Sequence, residues 1–530
     1  MIPHLVIIPI LLPLATAALL LSPLAKDRRV QAAVWVGSSL ALLGAAIAIA
    51  AGANAGELGA TYRLGNWPAP VAIVLVADRL AALMVLLASI LGLINAVFSL
   101  GRWLRLGPYY PVFAQLLLMG LNGAFLTGDL FNLFVFFEIL LAASYALLLH
   151  GSGTRRVTAG LHYIVINLAA SLLFLIGVSV IFGVTGTLNM AVLTDRVPFL
   201  EPDTRALFHA GAAILGVAFL IKAAAWPLGF WLPRAYDAAS APAAAAFVIM
   251  TKVGVYALVR LGLLCLGPDA GPSAGFGQGW IFVAGMLTLG VGLVGMLAAR
   301  DLARLAGYSV LVSAGTLLAA MVFRDPAVIT GALLYMVVST LGAAAFYLLG
   351  GLVSPDGGET GDDFRDPPLL EAYDPQGDSL YTEENERAVV LSAPIGLLSA
   401  GFLICTLLIA GMPPLPGFLA KVGMMASLLG DPAGPFPGSG PILAAVLVLS
   451  SLLALVALAR AGIQLWWAEP ERIAPTIRLH EGITVGALVA ALLVLTVAVA
   501  GPLDYLRATA DQLLDSRQYV AAVLGPEAGR

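Results

Sequence analysis

Charge is what this chain has least of. Only 11% of its 530 residues are Asp, Glu, Lys or Arg, whereas 60% are hydrophobic. An ordinary soluble domain carries about 25% charged residues, so with a mean hydropathy of +0.97 the composition excludes a soluble protein. The formal net charge of -4 supplies no basic surface and gives no reason to invoke nucleic acid. Cysteine is nearly absent. Cys265 and Cys405 both lie in apolar runs with no CxxC or Cys/His grouping, which argues against a disulfide frame or a zinc site and leaves two buried structural thiols. No P-loop, no GxGxxG after a strand, no Ser-His-Asp set and no metal-ligand spacing occurs, so no cofactor, nucleotide, metal or redox centre is expected in this chain. Met1 to Pro23 lacks a basic leading region and a cleavage site, and reads as a first span, not a removed signal.

What the chain does have is hydrophobic runs of about 20 residues, each long enough to cross a hydrocarbon core about 30 Å thick. They fall near 4–23, 31–51, 80–100, 110–127, 130–149, 160–183, 206–226, 241–265, 278–299, 303–322, 328–353, 391–412, 441–464 and 482–502, the twelfth continuing after a break through 418–429. The expected fold is an all-α polytopic membrane protein of about fourteen transmembrane helices. If the N-terminus is outside, thirteen basic residues face the cytoplasm, among them Arg28, Arg29, Arg155, Arg156, Arg300 and Arg304. The opposite loops hold Arg63, Arg196, Arg205 and Arg324, with Arg79 and Arg260 near span ends. The positive-inside rule then places both termini outside. Between Pro355 and Arg387 the chain turns polar, with eleven acidic residues against Arg365 and Arg387. This acidic loop, 355–388, reads as a solvated connector or partner-docking loop in preference to a cation-attracting antechamber.

The informative residues are the ionisable ones left inside spans: Glu138, Lys222, Lys252 and Lys421. A charge at the centre of a spanning helix costs roughly 2.5–3.5 kcal/mol on insertion scales and marks an ion path by default. Lys222 precedes Trp226-Pro227, and Lys421 follows Gly411-Met-Pro-Pro-Leu-Pro-Gly417. Paired Pro/Gly-interrupted segments in two halves of a chain point to a transporter's ion path. The competing reading makes each a structural ion-pair member, but such pairs often break even against hydrophobic replacements. Desolvation favours a lysine's neutral form and a nearby carboxylate its charged form, so a Glu138–Lys222 pair has the chemistry of a proton switch, with Lys252 as relay. Asp78 and Arg79 are expected to form an interfacial pair. His162 and His209 lie near span ends as satisfied imidazoles, and Trp226, Trp231, Trp466 and Trp467 suit interfacial belts.

These residues carry a resemblance. Gly128-Asp-Leu-Phe-Asn-Leu-Phe-Val-Phe-Phe-Glu138, Gly160-Leu-His-Tyr with Gly186-Thr-Leu-Asn-Met190, Lys222-Ala-Ala-Ala-Trp-Pro-Leu, Phe230-Trp-Leu-Pro-Arg-Ala-Tyr, Thr251-Lys-Val-Gly-Val-Tyr-Ala and Gly411-Met-Pro-Pro-Leu-Pro-Gly-Phe-Leu-Ala-Lys421 resemble the D subunit of Mrp-type multisubunit cation/proton antiporters over roughly residues 70–470. The wider family includes antiporter-like subunits of respiratory complex I and membrane-bound hydrogenases. The resemblance implies two inverted five-helix repeats, spans four to eight and nine to thirteen, with helices seven and twelve broken. The chain then divides into N-terminal helices 1–105, a first repeat 106–270, a second repeat 271–470 and a C-terminal helix and tail 471–530. It further implies that Glu138 and Lys222 form the coupling pair, Lys252 the relay and Lys421 the second-half lysine.

The implied protein is a transporter subunit, not an enzyme. It sits in the cell membrane beside other subunits of a Mrp-type complex and exchanges protons for sodium or another monovalent cation. A proton-pumping subunit of a redox complex is the alternative, and a membrane scaffold a third reading. In the second half the sequence departs from the family, having no histidine between His209 and His480. Ser309, Ser313, Thr316, Ser339 and Thr340 are left to carry a water chain, and Lys421, without an acid in its own repeat, is expected to look to Lys252 or to a partner's carboxylate. The short tail after the last span also departs from the largest complex I relative, which carries a long lateral helix.

Overall fold

In hydrocarbon every backbone N–H and C=O must be satisfied within its own segment, so long apolar runs become helices. The structure, a computed structural model, describes residues 3–25, 27–55, 60–68, 72–101, 103–353, 393–430, 434–466 and 477–525. The acidic loop and Trp467 lie outside them. The helices are α1 (Ile8–Leu21), α2 (Arg28–Asn54), α3 (Arg79–Ser99), α4 (Trp103–Leu106), α5 (Tyr110–Leu126), α6 (Leu130–Leu148), α7 (Thr154–Thr185), α8 (Met190–Arg196), α9 (Pro202–Lys222) and α10 (Trp231–Ala238). They continue with α11 (Ala241–Leu264), α12 (Gln278–Ala298), α13 (Leu302–Ala320), α14 (Pro326–Val353), α15 (Ala393–Ala410), α16 (Pro416–Leu428), α17 (Ser439–Trp466), α18 (Leu479–Val497), α19 (Ala500–Leu514) and α20 (Ser516–Leu524). Among the described residues, 12 helices are long and apolar enough to cross a membrane, and α5 and most of α15 form shorter apolar helices. The chain is an all-helical polytopic membrane protein in its spans.

Two features outside the spans correct the sequence reading. A ribbon of two antiparallel strands, β1 (Ala60–Arg63) and β2 (Val74–Ala77), pairs Ala60 with Ala77 ahead of α3. Strands of four residues are too short to show a period-two pattern. The segment after the last span is not a plain tail: α19 and α20 fold back on the N-terminal region. Tyr505 donates to the Arg79 carbonyl at 2.8 Å, and Arg63 donates to the Val523 carbonyl at 2.8 Å.

Helices α11, α13 and α14 run through the middle and are mostly buried, whereas α7, α9, α12 and α17 leave apolar faces exposed. Asp237, at the end of α10, ties the two halves at one end. Its carboxylate meets Arg155 at the start of α7 (2.5 Å) and Arg304 at the start of α13 (3.1 Å).

Candidate functional site

Glu138 owes its place to the way α6 begins. The Asp129 side chain accepts from the Asn132 amide at 2.9 Å and so caps the helix. The Asn132 side-chain amide donates to Thr127 Oγ1 at 2.9 Å. Burial raises the Asp129 carboxyl above its ordinary value, while the amides of Asn132 and Phe131 pull it down. Gly128 and Asp129 are locked to the turn after α7: Met190 N–H donates to the Gly128 carbonyl (2.9 Å), and Leu130 N–H to the Leu188 carbonyl (3.0 Å). Two sequence motifs some 60 residues apart thus set one helix start, and Glu138 sits in the third turn. Its Oε1 is buried and makes no hydrogen bond among the described residues.

Lys222, expected inside the run 206–226 shortly before its break, is the last residue of α9. The helix ends in a Schellman turn, with Ala225 N–H donating to the Leu220 carbonyl (2.8 Å) and Ala224 N–H to the Ile221 carbonyl (3.0 Å). Ala224 takes the left-handed conformation there, at φ 56°. The backbone beyond the turn is kept satisfied, since Trp226 N–H donates to Thr288 Oγ1 of α12 at 2.8 Å. Helix α11 crosses against this end, and only a glycine allows it. A Cβ on Gly254 would stand 2.5 Å from Ala223 N and 2.8 Å from the Phe219 carbonyl. Lys222 Nζ lies 5.7 Å from the centre of the Phe137 ring and lines a cavity of about 20 Å³ with Tyr163, Asn167 and Trp231. Ser144 and Tyr163 hydroxyls meet at 2.6 Å on the same side. Among the described residues no ion pair within 4.0 Å joins Glu138 to Lys222. The fold brings them to neighbouring positions without contact, with the Phe137 ring beside the ammonium.

Lys252, two residues before Gly254, is fully buried and donates to Ser313 Oγ of α13 at 2.8 Å; Ser313 donates to Ser339 Oγ of α14 at 2.9 Å. Beyond Ser339 a second cavity of about 20 Å³ is lined by Ser313, Tyr335, Ser339, Lys421 and Ser450. A void of that size holds about one water. Lys421 closes the line from α16, with Nζ donating to Ser451 Oγ (2.7 Å), Ser450 Oγ (3.3 Å) and the Ala410 carbonyl (3.2 Å). All three ammonium donors therefore meet neutral acceptors. Helix α15 ends in the same Schellman turn as α9: Met412 N–H donates to the Leu407 carbonyl (2.9 Å), Gly411 N–H to the Leu408 carbonyl (3.2 Å), and Gly411 sits at φ 70°. Of the five hydroxyls expected to carry a chain, Ser313 and Ser339 bridge Lys252 to the cavity and Ser309 lines it, whereas Thr340 donates back to Met336 of its own helix.

The structure overturns two expectations. Asp78 does not pair with Arg79: it is buried and holds Arg260 of α11, 182 residues away, through both carboxylate oxygens, one of them at 2.7 Å. Tyr256 and Tyr519 rings flank that guanidinium at 5.2 and 5.4 Å. The sequence signal for this pair is an arginine eight residues beyond Lys252 on one helix. It is a weak signal, because Arg260 lies near a span end, where a basic residue normally meets water. Trp231 is no belt residue either; it is 3% exposed and its ring lies 5.2 Å from Tyr163 beside the Lys222 cavity. His162 and His209 are satisfied as expected, by the Thr158 carbonyl (2.8 Å) and Ser273 Oγ (3.0 Å). Cys265 and Cys405 are buried free thiols.

Comparison with known proteins shows the family of the chain. Residues 127–434 match the family described as NADH:quinone oxidoreductase/Mrp antiporter, TM. A protein of Rhizobium meliloti (strain 1021), named as the D subunit of a probable K(+)/H(+) antiporter, is 47% identical over 99% of this chain and 98% of its own length. The D subunit of the Na(+)/H(+) antiporter of Alkalihalophilus pseudofirmus (strain ATCC BAA-2126 / JCM 17055 / OF4) is 34% identical over 98% of this chain and 99% of its own. A chain in the structure of the Mrp complex from Dietzia sp. DQ12-45-1b superposes with a TM-score of 0.81 at 26% identity, covering 99% of both chains. A match over more than half of the chain, with a relative 47% identical along nearly all of it, places this protein in the NADH:quinone oxidoreductase/Mrp antiporter family.

Proposed function

We propose that this chain is the proton-translocating D subunit of a Mrp-type multisubunit monovalent cation/proton antiporter in the cell membrane, working beside the other subunits of that complex. The names of its relatives support potassium and sodium as the cations to assay. The observation that carries the reading is the line Lys252–Ser313–Ser339–cavity–Lys421, a buried series of proton donors and acceptors with room for one bridging water. In our reading Glu138 and Lys222 are the switch of the first half. Lys222 passes its proton to Lys252, and the hydroxyls hand it on to Lys421. No hydrogen bond joins Lys222 to Lys252 among the described residues, so that step requires water or movement at the break after Lys222.

The finer architecture belongs to the same proposal. Fourteen spans fall into two inverted repeats, α5 to α11 within 106–270 and α12 to α17 within 271–470, flanked by 1–105 and 471–530, with both termini outside. Two likenesses support it: α5 packs on α6 as α12 packs on α13, and α9 and α15 end in the same turn. The test is exchange by the assembled complex in liposomes, driven by a pH gradient with potassium or sodium as counter-cation. Ser313→Ala combined with Ser339→Ala is expected to cut exchange several-fold with the complex intact. Wild-type exchange by that variant would remove the relay from the reading.

A further inference from the structure

Apart from the proton line, one cavity among the described residues is of another kind. A cavity of about 590 Å³ opens between α9, α11, α12 and α13, and its wall is apolar: Phe208, Phe219, Leu258, Leu318 and Met321. Its floor is the break itself, at Trp226 and Pro227, on the other side of the turn that carries Lys222. At the far end stands Trp280, 81% exposed, next to Gln278 in the first turn of α12. Arg324 reaches this end and donates to the carbonyl of Leu266, another lining residue, at 2.6 Å. A void of this size lined by hydrophobic side chains with polar groups at one end has the make-up of a ligand site. Two glycines in the lining, Gly216 and Gly262, face open space, for a Cβ at either would meet nothing within 4 Å.

We infer that this groove binds the acyl chain of a membrane phospholipid, its headgroup lying at the Trp280–Gln278–Arg324 end. The occupant comes from the bilayer, because the neighbouring outward faces of α7, α9 and α12 are apolar and exposed at Leu172, Val217 and Leu287. A thin, flexible chain fills it lengthwise. The ends suit a lipid too: tryptophan settles at headgroup level, and the Arg324 guanidinium, held by the Leu266 carbonyl and the Gln278 side chain, fixes a positive charge there for an anionic headgroup. The lipid packs against Trp226 and Pro227, just beyond the turn that ends α9.

The experiment uses the assembled complex in vesicles containing phosphatidylglycerol with a photoactivatable diazirine in its acyl chain, followed by irradiation and peptide mapping. The wild-type complex is expected to carry adducts on Phe219, Leu258 and Met321 as well as on Leu172 and Leu287. Gly262→Phe and, separately, Gly216→Phe fill the groove. Each is expected to lower the three groove adducts several-fold while those on Leu172 and Leu287 stay as in wild type, which also reports that the variant is folded in the bilayer. The proposal is overturned if groove adducts are missing from the wild-type complex, as they would be if a polypeptide occupied the groove. It is equally overturned if they persist unchanged in both variants.

Discussion

The two helix breaks end in the same hydrogen-bonded turn, yet they hold their lysines on opposite sides of it. In the first half Lys222 is the last helical residue before the turn, and in the second half the corresponding position is Ile409. Lys421 comes after the break, in the second turn of α16, and reaches back to the Ala410 carbonyl at the end of α15. Lys222 thus occupies the C-terminal end of α9 by its position in the chain, and the Lys421 ammonium reaches the equivalent end of α15 by a hydrogen bond. That end carries unpaired carbonyls and about half a negative charge. It is one of few places in an apolar interior that favours a cation. The lesson is that the fold keeps the electrostatic site and lets the chain supply its lysine from either side.

The surroundings differ as well. Among the described residues, Lys222 has a carboxylate, Glu138, in its half and no hydrogen-bonding hydroxyl, whereas Lys421 donates to two serines and a carbonyl and pairs with no acid. The last spans of the halves differ in the same sense: Lys252 is the twelfth residue of α11, and Ser450 the twelfth of α17. One half offers its lysine a carboxylate nearby and the other neutral dipoles in direct contact, so their variants should not behave alike.

The largest effect is expected at Lys222. Replacement by Ala, or by Arg, which does not deprotonate at working pH, should lower pH-driven exchange by at least about 10²-fold, the lower end for a positioned proton-transfer group. Near-normal exchange by assembled Lys222→Ala complex would dissolve the contrast between the halves. Glu138→Gln comes next, with a loss of roughly tenfold, equivalent to about 1.4 kcal/mol; the same liposome assay reads it, and wild-type rates would take the carboxylate out of the switch. Lys421→Arg should retain clearly more exchange than Lys222→Arg, since a guanidinium can still donate to Ser450, Ser451 and Ala410. Equal loss in both would mean that the second lysine must also give up its proton. The smallest effects are at the turns. Ala224 holds a left-handed backbone that glycine adopts freely, so Ala224→Gly should stabilise the subunit by about 1 kcal/mol. Gly411→Ala should destabilise it by at least as much, its new Cβ standing 3.1 Å from Lys421 Cδ. Thermal unfolding of the two variants reads the difference, and equal melting temperatures would mean that the turns are not equivalent.

Much of the candidate site was legible because burying charge in hydrocarbon is costly, so ionisable residues deep inside a run stand out. Glu138, Lys222, Lys252 and Lys421 were found this way, and the serines followed as the polar groups left in the second half. The helices formed by the expected runs begin and end within about six residues of them, and α9 is an informative case. Its apolar run continues to Trp226, but the helix stops at Lys222, because Ala223–Ala225 is as apolar in a turn as in a helix. Asp78 was misassigned for a related reason: adjacency in sequence suggested Arg79, whereas the fold supplies Arg260 from the far end of α11.

Composition and run length by themselves determined that this protein lives in a bilayer, how its helices are spaced and which few residues carry charge inside it. Those are properties of single segments, set by the transfer of apolar and ionic groups between water and hydrocarbon. Which hydroxyl meets which lysine, that α11 packs on the end of α9 through Gly254, and that Lys421 reaches back to the carbonyl end of α15 were decided only in three dimensions. Such contacts join groups dozens to hundreds of residues apart, and close packing selects them by distance and shape, which no local pattern records.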